Sequence, residues 1–125
     1  MTIYALSTGS GISGIAVIRI SGIKSSHAIK ALTNAALPKP KTAVIKKFSK
    51  INTSDLIDEG LLLWFPGPAS YTGEDMAEIH VHGSIAVVKS ILNELSKIQD
   101  CRLAEPGEFT KIAFQNGKLN LMKAE

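Results

Sequence analysis

The 125-residue sequence lacks the features of disulfide-bonded, membrane-spanning and secreted proteins. Its one cysteine, Cys101, has no partner for an internal disulfide, which suits a reducing compartment. No apolar run approaches the roughly 20 residues that a membrane-spanning helix needs. No basic segment followed by an apolar stretch opens the chain, so we expect no secretory signal. We therefore expect a cytoplasmic protein without membrane contact, in which Cys101 is a small core residue rather than a nucleophile.

Two nucleotide-binding motifs are absent or incomplete. The chain has no G-x-x-x-x-G-K-[ST] segment, so it cannot bind GTP through a P-loop. Gly9, Gly11 and Gly14 match G-x-G-x-x-G, but a dinucleotide site needs a helix directly after the glycines. The residues after Gly14 are β-branched and strand-like, and no acidic residue follows at the required distance. We interpret this segment as a flexible loop, with contact to a ligand or a partner subunit as an open alternative.

The composition is that of one globular domain with a slight basic excess. Hydrophobic residues make up 45% and charged residues 20%, and the formal net charge is +3. Five lysines are concentrated between Lys39 and Lys50. They are either a patch that faces RNA phosphates or the solvated side of a strand and loop.

The hydrophobic pattern predicts an α/β fold, namely a mixed sheet with flanking helices (α+β) rather than a doubly wound sheet. We predict strands over residues 2–6, 14–20, 42–48, 57–65, 75–82 and 101–104. Helices are predicted to begin near residues 25, 84 and 108. Their inward faces are expected to carry Ile29, Leu32 and Ala36, then Ile85, Val88, Leu92 and Leu95, then Phe109, Ile112 and Ala113. Residues 1–118 form one predicted domain, and residues 119–125 are predicted to start a helical domain of a longer protein.

Polar residues in the predicted strands provide two candidate sites. Arg19 lies in an otherwise apolar strand, where a buried charge needs an internal carboxylate or an anionic ligand. Glu78, His80 and His82 alternate along another strand and share one face. They fit either a zinc site or a polar sheet face, although three positions along one strand converge poorly on a single ion. Glu78 is also a plausible partner of Arg19.

Several segments, in their order and spacing, resemble the N-terminal domain of the MnmE (TrmE) family of tRNA modification GTPases. The resemblance covers nearly the whole chain, and its segments are Ile18-Arg19-Ile20-Ser21-Gly22, Leu63-Trp64-Phe65-Pro66-Gly67-Pro68, Ser70-Tyr71-Thr72-Gly73-Glu74-Asp75, His82-Gly83, Pro106-Gly107-Glu108-Phe109-Thr110 and Ala113-Phe114-Gln115-Asn116-Gly117-Lys118-Leu119. Two segments depart from the family pattern. Residues 8–13 lack the cation of the usual Pro-Pro-Gly-Arg-Gly loop, and Ser84 replaces a glycine.

The resemblance implies a tetrahydrofolate-binding and homodimerisation domain, similar to the folate domain of aminomethyltransferases. The implied folate contacts are Arg19, Glu78 and Lys118, with no metal and no catalytic residue in this segment. The implied ligand is 5-formyl- or 5,10-methylene-tetrahydrofolate. The parent enzyme hydrolyses GTP with potassium and magnesium in a module outside this chain. With the flavoprotein MnmG it modifies C5 of the wobble uridine (U34) in certain tRNAs.

Three other functions remain open at this stage. The chain is alternatively a stand-alone aminomethyltransferase-like folate enzyme, a dimerisation scaffold that binds no ligand, or an RNA-binding module. Folate affinity, oligomeric state and salt-dependent tRNA affinity would distinguish these alternatives.

Overall fold

The structure is a computed structural model that describes residues 1–7 and 14–118. Most of the predicted first loop and the predicted helical start at residues 119–125 lie outside that part. The described residues form six strands and three helices. They are β1 (Thr2–Leu6), β2 (Ile15–Ser21), α1 (Ser25–Thr33), β3 (Val44–Ser49), β4 (Leu56–Phe65), β5 (Met76–His82), α2 (Ile85–Ser96), β6 (Cys101–Leu103) and α3 (Glu108–Gln115).

The strands form one mixed sheet in the order β3-β4-β5-β2-β1-β6. Only the β1–β6 pair is parallel among these strands, and the other four pairs are antiparallel. Strands β2 and β5 lie at the centre, and the strand directly after Gly14 excludes the helix that a dinucleotide site requires. The predicted mixed α/β class is confirmed.

One face of the sheet is covered by α1 and α2, and this side holds the core. Ile18 and Ile79 are fully buried there, together with Ile29 of α1 and Leu95 of α2. Because strand side chains alternate, their neighbours Arg19 and Glu78 lie on the opposite side. We call that opposite side the open face. The predicted alternation of 75–82 is confirmed, because Ala77, Ile79 and Val81 are buried while Glu78, His80 and His82 are not.

Helix α1 is shorter than its apolar pattern predicts. It ends at Thr33 because Asn34 adopts a left-handed conformation with φ 52°, so Ala36 lies beyond the helix. Its first residue, Ser25, is not a capping residue. Its hydroxyl instead donates a hydrogen bond of 3.0 Å to the backbone oxygen of Asp75, which joins the helix to the start of β5.

Helix α2 begins as predicted, because the Ser84 hydroxyl accepts a hydrogen bond from the Val87 backbone N–H at 3.1 Å. The prediction that Ile85 packs inward is wrong, since Ile85 is 76% exposed. The buried side of this helix is formed by Ile91, Glu94 and Leu95. Helical periodicity sets the direction in which Ile85 points, but it does not determine whether another element covers that position.

Cys101 begins β6 and packs against the core, as its small apolar character predicted. Burial raises the pKa of its thiol, which lowers the thiolate fraction and so disfavours reaction of the sulfur. In the described part of the chain, no helix has the length and hydropathy to cross a bilayer.

Candidate functional site

Arg19 of β2 and Glu78 of β5 form an ion pair on the open face. The two residues are directly opposite each other in the antiparallel register. The Arg19 Nε donates a hydrogen bond of 3.0 Å to Oε2 of Glu78, and the two side chains are 38% and 19% exposed. The charge in an apolar strand is therefore accommodated by the open face and by a carboxylate on the neighbouring strand.

His80 holds the other oxygen of the same carboxylate. Its Nε2 lies 3.1 Å from Oε1 of Glu78, two residues earlier on β5. Because a carboxylate only accepts hydrogen bonds, Nε2 carries the hydrogen. Glu78 is thereby fixed from two sides, with one lone pair on each oxygen left for a further donor. The alternation in the sequence placed His80 on this face but did not reveal its contact with Glu78.

The terminal nitrogens of Arg19 are available to a ligand. Within residues 1–7 and 14–118, they have no hydrogen-bond partner. Arg19 lines a cavity of about 330 Å³ between the sheet, the residue 66–75 loop and the start of α3. The cavity is also lined by Tyr71, which is 42% exposed, and by Phe109. It combines a cation with two aromatic walls, and its volume is at the lower end of the range for small-molecule sites, about 300–1,000 Å³.

Lys118 lies beside this region without lining that cavity. Its Nζ donates a hydrogen bond of 3.0 Å to the backbone oxygen of Pro68. Pro68 belongs to the same loop as Tyr71, which lines the cavity of Arg19. Of the three folate contacts implied by the sequence, the structure brings Arg19 and Glu78 into direct contact. It places the Lys118 ammonium group against the residue 66–75 loop, which lines the cavity of Arg19 through Tyr71.

The residue 66–75 loop is anchored to the open face and to the end of α3. The Ser21 hydroxyl lies 2.8 Å from the Thr72 hydroxyl and donates a hydrogen bond of 2.9 Å to Glu74. The Asn116 side chain donates a hydrogen bond of 2.8 Å to the backbone oxygen of Thr72. Gly73 lies where the loop meets Asn116, with φ 84°, and an added Cβ would be 3.2 Å from the Asn116 Cβ. A residue with a side chain would strain this contact, so the Tyr-Thr-Gly-Glu-Asp segment has a structural reason for its glycine.

The start of α3 is fixed by Glu108 of the Pro-Gly-Glu-Phe-Thr segment. Both of its carboxylate oxygens accept hydrogen bonds from the Arg102 guanidinium of β6. The Glu105 backbone N–H donates a further bond of 2.9 Å. The Arg102 guanidinium, with help from that backbone N–H, lowers the pKa of Glu108 to about 2. This fork-like pair holds the helix that forms one wall of the cavity.

His82 forms hydrogen bonds with Asp58 of β4 rather than with Glu78 or His80. The His82 Nδ1 lies 2.9 Å from Oδ2 of Asp58, and its backbone N–H donates to the same oxygen at 2.8 Å. Burial favours a higher pKa for Asp58, but the hydrogen bonds from His82 outweigh it and lower the pKa. A search of residues 1–7 and 14–118 finds no group of three or more possible metal ligands. The strand triplet is therefore divided between two separate pairs, of which one is Glu78–His80.

The family is decided by the match of residues 2–118 to the model described as "GTP-binding protein TrmE N-terminus". The chain belongs to this family. The chain is 67% identical over 125 residues to the tRNA modification GTPase MnmE of Pelagibacter ubique (strain HTCC1062), with 100% of the chain and 28% of that relative covered. It is 50% identical over 124 residues to the mitochondrial 5-taurinomethyluridine-[tRNA] synthase subunit GTPB3 of Danio rerio, with 99% and 25% covered.

A third relative is the MnmE of Parvibaculum lavamentivorans, which is 47% identical over 124 residues. That alignment covers 99% of the chain and 28% of the relative. The chain thus spans about a quarter of the length of these curated relatives. The resemblance noted in the sequence is confirmed, and the chain corresponds to the N-terminal domain of MnmE and GTPB3 proteins.

Proposed function

We propose that this TrmE-type domain binds a reduced folate on its open face, as part of a longer tRNA modification GTPase. The observation that carries the proposal is the Arg19–Glu78 ion pair beside a cavity of about 330 Å³. An ion pair on a sheet face needs no cavity for its own stability. The terminal guanidinium nitrogens, which have no hydrogen-bond partner among residues 1–7 and 14–118, and the aromatic lining residues instead suit a planar, partly anionic ligand.

The donor set fits the chemistry of a tetrahydrofolate. A reduced pterin presents adjacent N–H donors, and the Glu78 carboxylate has free lone pairs to accept them. The glutamate tail is anionic, so Arg19 and Lys118 are suitable partners for it. Tyr71 and Phe109 line the cavity, and aromatic side chains pack favourably against an aromatic ligand. A 5-formyl- or 5,10-methylene-tetrahydrofolate held by these residues would supply a one-carbon unit.

The names of the relatives support a role of the parent protein in tRNA modification, and the rest of the scheme is what the MnmE resemblance implies. We propose that the parent hydrolyses GTP in a separate module with potassium and magnesium and acts in the cytoplasm. With an MnmG-type flavoprotein, it transfers the folate one-carbon unit to C5 of the wobble uridine (U34) of certain tRNAs. In this scheme the present domain binds and orients the folate, and GTP hydrolysis takes place in the separate module.

We also propose that the domain forms a homodimer through the open face. Ile45 and Leu61 are directly opposite each other on β3 and β4. They are 71% and 38% exposed, and Leu61 is opposite His80 on β5. An exposed apolar row of this kind is typical of an interaction surface. Light scattering tests the proposal with Ile45→Glu, for which a monomer is expected, against Ile23→Glu. Ile23 is 83% exposed before α1, so its variant should remain dimeric.

Calorimetry with 5-formyl-tetrahydrofolate tests the folate site. Glu78→Gln removes one charge-assisted acceptor, so the affinity should fall about tenfold or more, which corresponds to about 1.4 kcal/mol. Glu59→Gln is the matched control, because Glu59 is an exposed carboxylate on β4 and the ion pair of Arg19 is with Glu78. Equal affinities of the two variants would remove Glu78 from the site. A dimer without any folate affinity would favour the scaffold alternative.

A further inference from the structure

A second concave surface lies on the side of the sheet that α1 and α2 cover. Two adjoining clefts of about 390 Å³ and 300 Å³ share Lys97 as a lining residue. We call their combined surface the lysine groove. Its positive or ionisable basic side chains are Lys24, His27, Lys50, Lys89 and Lys97.

The lysine groove is assembled from residues that are distant in the sequence. Lys24 precedes α1, Lys50 follows β3, and Lys89 and Lys97 belong to α2 and its end. The lysines that are concentrated between residues 39 and 50 in the sequence do not form one patch. Lys46 and Lys47 are consecutive on β3 and point to opposite faces of the sheet. Only Lys50 of that set lines the groove.

The groove has an excess of unpaired positive charge. Its one lining carboxylate is Glu94, which is only 2% exposed. One Glu94 oxygen accepts a hydrogen bond from the Ile51 backbone N–H at 2.9 Å, and the other accepts from Lys97 Nζ at 2.8 Å. In the described part of the chain, Lys24, Lys50 and Lys89 have no carboxylate within ion-pair distance. Ammonium groups that converge on a concave surface raise the local potential and attract anions.

The uncharged lining residues indicate what kind of anion fits. Asn52, Asn93, Gln99 and Ser90 add hydrogen-bond donors and acceptors beside the ammonium groups. Side chains of these types contact phosphate and sugar oxygens in nucleic-acid complexes. The lining residues of the two clefts include the imidazole of His27 but no Phe, Tyr or Trp, so the surface has no large aromatic platform for base stacking. The chemistry favours recognition of a sugar–phosphate backbone without sequence preference.

We infer that the lysine groove binds the sugar–phosphate backbone of RNA. The inference extends the proposed role in tRNA modification, because it gives this domain its own contact with a tRNA on the side away from Arg19. Neutral hydrogen-bonding side chains lie beside the lysines, which suits the phosphate and sugar oxygens of a polynucleotide backbone; an anionic bilayer is the competing surface that the test below separates from it. Because the groove and the folate cavity share no lining residue, the two sites fail or succeed independently in experiments.

The test measures the anisotropy of a fluorescein-labelled tRNA transcript with the 125-residue chain across a KCl series. Lys24→Ala/Lys89→Ala removes two groove charges, and it leaves the Lys97–Glu94 pair intact. Each lost phosphate contact lowers the slope of log affinity against log salt by about 0.7–0.9, so the slope should fall by roughly 1.5. Lys39→Ala/Lys47→Ala is the matched control with the same charge change outside the groove. Its slope should equal that of the unsubstituted chain.

Several results would overturn the inference. The unsubstituted chain could show no tRNA affinity, or the two double variants could show equal reductions of the salt slope. Binding to phosphatidylserine vesicles without binding to tRNA would also overturn it and would identify a membrane surface instead. Lys50→Ala provides an independent check. Lys50 lines the groove and is exposed, so its removal alone should lower the slope. Calorimetry with 5-formyl-tetrahydrofolate should be unchanged in all these variants, which separates this site from the folate site.

Discussion

Glu94 provides a sharp test of the packing between α2 and the turn after β3. Its carboxylate is buried and accepts two hydrogen bonds, from the Ile51 backbone N–H and from Lys97. Glu94→Gln keeps the shape and one oxygen for Ile51, but it turns an amide N–H₂ toward the Lys97 ammonium. A hydrogen bond between charged groups contributes about 1.5–3 kcal/mol. Because Lys97 is 57% exposed and can turn to water, we expect a loss of about 1–2 kcal/mol.

Urea unfolding followed by the fluorescence of Trp64 measures this loss. Trp64 is the one tryptophan of the chain and is only 6% exposed, so its emission reports unfolding. With a slope of about 1.5 kcal/mol per molar urea, the midpoint of Glu94→Gln should fall by roughly 1 M at pH 7. The exposed Glu59→Gln is the control, with an expected change within about 0.5 kcal/mol.

The pH dependence adds a second condition. The hydrogen bond from Lys97 and that from the Ile51 N–H lower the pKa of Glu94 despite its burial. Because the pKa of Glu94 is lower in the folded chain, its charged form stabilises the fold above the unfolded-state pKa of about 4.3. This stability is lost as the pH falls through the folded-state pKa. The difference between the unsubstituted chain and Glu94→Gln should therefore shrink below about pH 4. A midpoint for Glu94→Gln equal to that of Glu59→Gln at neutral pH would refute the reasoning.

Three further predictions concern stability. Glu108→Gln should weaken the dependence of the melting temperature on pH between about 4.5 and 2. The pKa of Glu108 is lowered to about 2, so the stability that its charged form contributes is lost across that interval. An unchanged pH profile of the melting temperature would contradict this. Gly60→Ala should lower the free energy of unfolding in urea by at least about 3 kcal/mol, because the added Cβ would lie 2.0 Å from a backbone oxygen of β5. Gly14→Ala is the control, because the space around Gly14 is open and the loss should be small. Leu95→Ala should lower the free energy of unfolding by about 2–5 kcal/mol, and Ile85→Ala by less than about 0.5 kcal/mol. Similar losses in the two variants would show that Ile85 packs in the core.

The local pattern of the sequence was sufficient for most of the fold. Alternation along β5 placed Glu78 on the face opposite Ile79, because strand side chains alternate regardless of the rest of the structure. A run of β-branched and apolar residues on both faces predicted the strand that contains Arg19. The amphipathic pattern that begins at Ser84 predicted α2, since helix side chains three and four positions apart share one face. Such features involve interactions between near neighbours, and so a sequence pattern reveals them.

Features that depend on distant residues required the tertiary structure. The sequence named Glu78 as a plausible partner of Arg19, but only the strand order made β2 and β5 neighbours and aligned the two residues. The pairing of His82 with Asp58, 24 residues away, likewise divided a strand triplet that the sequence alone could not divide.

What the sequence determined by itself is therefore the family, the class of the fold and the side of the sheet on which each polar residue lies. The tertiary structure decided which charges are paired and which surfaces are concave. Lys24 and Lys97 illustrate the difference, because they are 73 residues apart in the chain numbering and still line one cleft. Local periodicity is a property of the backbone geometry, whereas a cleft exists only after helices and turns have packed around a common core.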